Sequence, residues 1–465
     1  MKLKNKTLLQ QLSLAFAPLA LFALAPQAHS ADYADYAAGT GVAGNTNVGG
    51  LYTPAPKPAA DSFTGALTGG TVTANLQARY ENVDQKNIAN KANAATLRLR
   101  LGYETAEYNG FGGLVQIEHI SANDAFNSRA NGMGTRPVVA DGGITEINQA
   151  YISYSGLPQT RIKFGRQLIR LDNDRWIGNV VWRQNHQTYD GVTAVNTSLT
   201  DTTITTGYIT NVNRVFSDLA VDSSNAGNFM GNHAMKSPIV NVSYKGLGFA
   251  ELVGYGYFLD YDRSANGAAL TNGFGDKNST KTIGGRIKGD APMGDYKLLY
   301  TAEYAGQSAY KDNPVDYNAH YTLLEGGVDT KAFQVKLGYE VLSSALASNG
   351  TRKSLSTPLA TLFAFNGWAD VFLVTPANGL QDLYLNARTT VAGTVLGFDF
   401  HDYKADHGGN KYGTELDLIA SKRIDKTYSI GSRYARFRAN GSVDLGNCAA
   451  CVDTNKLWIY GAMNF

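Results

Sequence analysis

From about residue 72 to the last residue, the chain repeats one pattern. A segment in which apolar and polar side chains alternate is followed by a connection, and the connections alternate between short and long. Short joins fall at 108–110, 156–159, 199–201, 246–247, 290–294, 329–331, 393 and 424–426. Long ones fall at 122–144, 169–187, 212–237, 261–279, 306–318, 345–381 and 439–454. Period-two alternation gives each strand one apolar and one polar face. The closing segment shows what this demands: Leu457, Ile459, Gly461, Met463 and Phe465 alternate with Trp458, Tyr460, Ala462 and Asn464. About nine to eleven residues tilted near 45° cross a bilayer. A strand in lipid must have both edges paired, which only a closed barrel provides. Short turns at one end and long loops at the other are the connectivity of an outer-membrane barrel, and a soluble sandwich supplies no reason for them.

The expected fold class is therefore all-β, a transmembrane antiparallel up-and-down barrel of about eighteen strands. Strands are expected near 72–82, 94–106, 111–121, 145–155, 160–168, 188–197, 202–211, 238–246 and 248–260. Nine more are expected near 280–289, 295–305, 319–328, 332–344, 382–392, 394–404, 411–423, 427–438 and 457–465. An even count leaves both termini in the periplasm and makes Val72 to Asn82 the partner of the closing strand.

Composition agrees. Of 465 residues, 50 are Gly, 27 Tyr and only 17% charged, and no long apolar run follows residue 25, which excludes a bundle of membrane helices. The first thirty residues read as a secretory signal: Lys2, Lys4 and Lys6, an apolar stretch from Leu12 to Ala25, then Ala28 and Ser30. Removing them takes away three lysines and no acid, shifting the formal charge from +2 to −1, so selectivity must come from local placement. Residues 31–70 are expected to form a flexible lead-in and residues 71–465 the barrel. Cys448 and Cys451 lie in one loop and suit a local disulfide in an oxidising compartment, with a free thiol pair as the alternative.

Alternation assigns faces. Leu97, Leu99, Leu101 and Tyr103 take the lipid side, so Arg98 and Arg100 point inward. Arg79, Lys163, Arg286, Lys288, Lys297, Lys336, Arg388 and Arg433 do likewise, because a charge on the lipid face at mid-depth costs about 2–4 kcal/mol. Glu104, Glu118, Glu303, Glu340, Glu415 and Asp417 face inward for the same reason. That polarity suits an aqueous channel, and equally a wall stiffened by salt bridges between strands. A barrel this wide is not filled by side chains alone, which favours an open or loop-plugged lumen. The densest charge is Arg161, Lys163, Arg166, Arg170, Arg175 and Arg183 against Asp172 and Asp174. These arginines could line an anion path, or the two aspartates could pair with them to order the loop. Asp172-Asn173-Asp174 hints at calcium but lacks the glycine and distal glutamate of a full loop. The join after Ser354 is too apolar to sit in water, with Phe363, Phe365, Trp368 and Phe372 around Asp370. Folding into the lumen as a constriction and packing on neighbouring outer loops are both open.

No enzyme is expected. GxSxG and HExxH are absent, and His401 beside Asp402, like His407 beside Asp406, alternates to opposite faces. No cofactor or nucleic-acid motif appears. Four stretches resemble the alginate-export family of outer-membrane porins: NQAYISY (148–154), FGRQLIRLDNDRWIGNVVWRQNHQTYDG (164–191), YITNVNRVF (208–216) and FAFNGWADVFLVTPANGLQDLY (363–384). The resemblance implies an eighteen-stranded, monomeric outer-membrane barrel with loops reaching into the pore. It also implies passage of an anionic uronate polymer through an electropositive lumen, or of small hydrophilic solutes and oligosaccharides as in general porins. A structural or adhesive barrel with a shut lumen is the competing expectation.

Overall fold

A computed structural model describes residues 59–122, 136–217, 231–262 and 278–465. The secretory signal, residues 31–58 of the lead-in and parts of three long joins lie outside the described residues. The strands are β1 (Thr71–Gln85), β2 (Ala92–Glu104), β3 (Phe111–Ala122), β4 (Ile144–Leu157), β5 (Thr160–Gln167), β6 (Thr188–Asn196), β7 (Thr202–Asn213) and β8 (Asn232–Tyr244). They continue as β9 (Ala250–Leu259), β10 (Thr280–Met293), β11 (Tyr296–Ala309), β12 (Asn318–Thr330), β13 (Phe333–Leu342), β14 (Ser344–Leu346), β15 (Arg352–Ser354) and β16 (Leu380–Val391). The last four are β17 (Thr394–Lys404), β18 (Lys411–Arg423), β19 (Tyr428–Ala439) and β20 (Thr454–Asn464).

Leaving aside the small β14–β15 hairpin, 18 strands form one antiparallel sheet in which each pairs with its chain neighbours. The sheet closes where β20 pairs with β1, Tyr460 opposite Arg79 and Leu457 opposite Asn82. Among the described residues, every strand of the barrel is paired on both edges, the condition a strand in lipid imposes. One expected boundary moves by six residues, because β8 begins at Asn232 rather than near 238. Pro238, which lacks an N–H, sits inside β8 opposite Tyr208, beside an irregularity at Ile209/Asn211.

Alternation survives in three dimensions. Leu97, Leu99 and Leu101 are 44%, 38% and 48% exposed on the outer surface, whereas Arg98 and Arg100 are 0% and 3% exposed inside. Exposed aromatics ring the short-turn end, including Phe111, Tyr244, Phe249, Tyr296, Phe333 and Tyr428, where amphipathic rings suit a membrane interface. Part of the lead-in is ordered there. Helix α1 (Phe63–Thr68) is capped by Ser62, whose Oγ accepts from Gly65 N at 3.0 Å, and is tied to the rim by the Tyr103 hydroxyl bonded to Leu67 O. Among the described residues, no helix is long and apolar enough to cross a membrane. The largest apolar cluster lies inside the barrel, where the joins 168–187 and 355–379 pack against inward-facing Tyr255, Tyr321, Tyr403, Phe437 and Trp458.

Candidate solute path and lumen constriction

The join between β5 and β6 turns inward because its backbone bends sharply. Asp172, Asp174 and Val180 adopt positive φ, and Asn173 Oδ1 accepts from Arg175 N at 3.1 Å in a tight turn. This loop meets the one between β15 and β16. Ile177 pairs with Leu359 as a parallel bridge, Gly178 N donates to Leu359 O at 2.9 Å, and Thr361 N donates to Asp174 O at 3.0 Å. Gln187 Nε2 bonds the carbonyls of Gly178 and Leu359, both at 2.9 Å. Trp182 stacks on Phe363 with centroids 4.5 Å apart and planes 9° apart. The two loops are one packed body.

The wall holds that body by charge. Arg79 pairs with Asp141 at 3.0 Å and donates to Trp182 O. Arg98 donates to Gln184 O at 3.1 Å and to Asn75 Oδ1 at 2.5 Å. Arg100 pairs with Glu118 across β2 and β3, and its Nη1 donates to His186 Nε2 at 3.1 Å. Burial, with Arg100 and Arg98 beside it, holds the His186 imidazole well below its usual pKa, so it is the neutral acceptor this bond needs. Arg175 pairs with Glu340 at 3.1 Å and lies 4.6 Å from the Phe365 ring centroid. Arg183 bridges Glu81 and Asp370, both at 2.9 Å, while Arg170 pairs with Asp174 at 2.7 Å. Asp172 pairs with Arg286. The DND triplet therefore spends its side chains in separate directions.

The tip of the second loop rests on wall carboxylates. Asn366 Nδ2 donates to Glu340 at 2.5 Å and Asp382 at 3.1 Å, Trp368 N donates to Asp417 at 3.1 Å, and Ala369 N donates to Glu415 at 2.6 Å. Gly367 is required at φ +85°, because a Cβ there would strike the Glu415 carboxylate and the Tyr403 hydroxyl. Asp370 also takes Lys456 of β20 at 2.6 Å. Arg433 of β19 lies 4.1 Å from the Trp182 centroid and 4.7 Å from that of Trp368, a cation held between aromatic faces of both loops. Phe372 packs on Tyr403, with centroids 4.5 Å apart, and near Phe437.

Other expected positions fall outside this body. Arg388 pairs with Asp399 at 2.6 Å across β16 and β17, and Lys336 pairs with Glu325 at 3.2 Å. The Lys163 ammonium lies 4.6 Å from the inward Tyr151 ring centroid. Arg166 departs from the lumen-lining expectation. It stands in register with Ala150 and shares the outer face with Phe164, where it pairs with Asp190 at 2.8 Å. The phase set by Phe164, which is 68% exposed, carries through Arg166, and the basic cluster read as a unit is split by the wall. Cys448 and Cys451 are disulfide-bonded, with Cα atoms 5.3 Å apart.

Beside the loop body, a cavity of about 610 Å³ opens toward the short-turn end. It is lined by both signs of charge and by Phe365, Trp368, Tyr384 and Arg433.

Residues 70–347 match the sequence model of the alginate export family. The chain belongs to the alginate export family. Solved structures similar to it include Acinetobacter baumannii OccAB2 (13% identity, TM-score 0.64, 86% of this chain and 98% of that one). Pseudomonas aeruginosa OccK9 (OpdG) gives 12%, 0.62, 86% and 100%, and OccD3 (OpdP) from the same organism gives 14%, 0.60, 85% and 91%. At these identities the likeness is one of fold. No protein of curated function matches. With the closed barrel, family membership makes this an outer-membrane channel protein, set in lipid and passing small solutes.

Several residues on which this alginate export family member relies were not singled out by sequence. Glu81, Asp141, Trp182, Asn366 and Lys456 complete the loop contacts, and Trp458 and Tyr460 of the closing strand meet Trp182 edge-on at 5.7 and 5.5 Å. Large aromatics on the polar face of a strand were the available signal. His401 bonds Asp382 at 2.9 Å on the next strand rather than its neighbour Asp402.

Asp172 provides a pH test. Burial pushes its carboxyl from 3.8 up to about 7 against the pull of Arg286. The folded state then binds more protons than the unfolded chain between pH 3.8 and about 7. Asp172 therefore lowers stability progressively as pH rises through that window. Asp172→Asn is expected to flatten the dependence of thermal melting on pH between 4 and 7, measured in detergent micelles. An unchanged slope would assign the dependence to another group.

Proposed function

We propose that the barrel is a passive, monomeric, non-enzymatic channel for small hydrophilic solutes and short oligosaccharides of low net charge. The observation that carries this is the pairing of the lumen cations. Arg79, Arg100, Arg175, Arg183, Arg286 and Arg388 each sit against a carboxylate, so they hold the loops and wall together. An extended polyuronate would call for a continuous row of cations offered to the lumen, and here that row is largely engaged with protein acids. The cavity beside the loops has room for a sugar ring, with Phe365 and Tyr384 as apolar surfaces and both signs of charge as polar partners.

The test is single-channel recording in planar bilayers. A reversal potential near zero in a salt gradient is expected, with current block by neutral and amino-sugar oligomers as well as uronates. Strong anion preference with block by uronates alone would overturn the low-charge reading. Absence of conductance would overturn the channel itself.

A further inference from the structure

Arg98 is 0% exposed, and a guanidinium does not give up its proton inside a protein. A buried charge needs a partner of opposite sign. Yet the hydrogen bonds Arg98 makes go to neutral oxygens, Gln184 O at 3.1 Å and Asn75 Oδ1 at 2.5 Å, and its Nε has no partner among the described residues. The buried acids around it are engaged elsewhere. Asp141 is held by Arg79 at 3.0 Å, Glu118 by Arg100 at 2.6 Å, and Glu81 and Asp370 by Arg183 and Lys456. Each acid of this set is matched by one cation, which leaves Arg98 as the uncompensated charge. Glu146, opposite Glu118, is only partly buried and belongs to β4, two strands from Arg98.

The groups beside Arg98 are donors without acceptors. Gln77 stands directly opposite it on β1, 0% exposed, with neither amide atom bonded. Asn185 follows the residue whose carbonyl Arg98 holds, and it too is buried with both amide atoms unbonded. His186 accepts from Arg100 at Nε2, so its neutral ring carries the proton on Nδ1, and that N–H is buried without an acceptor. The unpartnered oxygens Glu118 Oε1 and Asn148 Oδ1 sit on β3 and β4, on the other side of β2 from Gln77. Buried polar groups in native proteins have partners, so these donors and Arg98 Nε call for an acceptor they share.

We infer that the seam between residues 184–186 and the β1–β2 wall binds a small inorganic anion of the size of chloride. One negative charge offsets Arg98, and one acceptor serves the amides of Gln77 and Asn185 and the imidazole of His186. These side chains are at most 2% exposed, which leaves no opening for the chain of an organic acid. None of them lines the cavity beside the loops, so the site is separate from the solute path. By joining β1 and β2 to the first loop, the anion fastens the loop body to the wall.

Bromide replaces chloride in such sites and is located by its anomalous scattering. In crystals of the full-length barrel grown from sodium bromide, a peak is expected within hydrogen-bonding reach of Arg98 and Gln77. Thermal melting in detergent micelles gives a second readout, because an anion that binds only the folded state stabilises it. The protein is expected to melt several degrees higher in sodium chloride than in sodium gluconate at equal ionic strength. Arg98→Met should abolish that difference, and Gln77→Leu, which keeps the charge, should weaken the apparent chloride affinity severalfold. Lys404→Gln, at an exposed position at the end of β17, should leave it unchanged. Equal melting in the two salts would overturn the inference, as would a bromide peak that Arg98→Met retains, which marks an adventitious ion only. Where Arg98→Met does not fold, the other two results decide: no peak in the unaltered protein, or an affinity untouched by Gln77→Leu, overturns it.

Discussion

Replacing residues 356–378 with a short glycine–serine link is expected to raise single-channel conductance severalfold. Eighteen strands enclose a lumen wider than inward side chains can fill, so what narrows it is the loop body. The second loop supplies Phe363, Trp368 and Phe372 to that body and closes on the wall through Asn366, Trp368 N and Ala369 N. Removing it would expose Glu340, Asp382, Glu415 and Asp417 to water filling the lumen, which solvates them where the loop had bonded them. The barrel itself should still fold, because its backbone pairing runs from β13 directly to β16. Slower migration of the heated protein in a gel would confirm a folded barrel before recording. Conductance unchanged from the intact protein would show that solutes pass by another route and that this loop serves packing alone.

Glu340→Ala is expected to destabilise the protein by about 3–5 kcal/mol, the usual cost of leaving one partner of a buried ion pair uncompensated. Arg175 is 1% exposed and its charge is held by Glu340 at 3.1 Å. The same carboxylate accepts from the Tyr321 hydroxyl at 2.6 Å and from Asn366 at 2.5 Å, so its loss also loosens the hold on the second loop. The double change Arg175→Met/Glu340→Leu should recover much of the loss, since an apolar pair of similar volume needs no compensating charge. Urea unfolding in lipid measures both. A loss below about 1 kcal/mol in the single variant would show that water reaches Arg175 and shares its charge.

Period two was sufficient for most of the barrel. Strands β17 and β18 fall where alternation placed them, and Arg98 and Arg100 point inward because the leucines between them cannot. The readings that moved are those in which a local signal competed with a long-range one. The strand expected near 238–246 begins instead at Asn232, with Pro238 interior to β8, whose register with β7 is adjusted by an irregularity beside it. Arg166 looked like part of a basic patch with Arg170 and Arg175. It ends on the opposite face, because its strand phase, and not its neighbours in sequence, decides where it points. The closing strand does more than seal the barrel, because Trp458 and Tyr460 also reach the Trp182 ring inside the lumen.

What the sequence determined by itself was the barrel: strand number, face assignment, and the seam between first and last strands. Those properties follow from backbone pairing in a medium without water and from side chains sorting between lipid and lumen, and both leave a periodic trace along the chain. What only the tertiary structure decided is how the lumen is filled. Arg183 meets Glu81 and Asp370, and Asp172 meets Arg286, across separations of about one hundred residues or more, and no period connects them. Whether a buried arginine offers its charge to a solute or spends it on a carboxylate depends on which partner the closed barrel brings within 3 Å or so, and that is set by the fold as a whole.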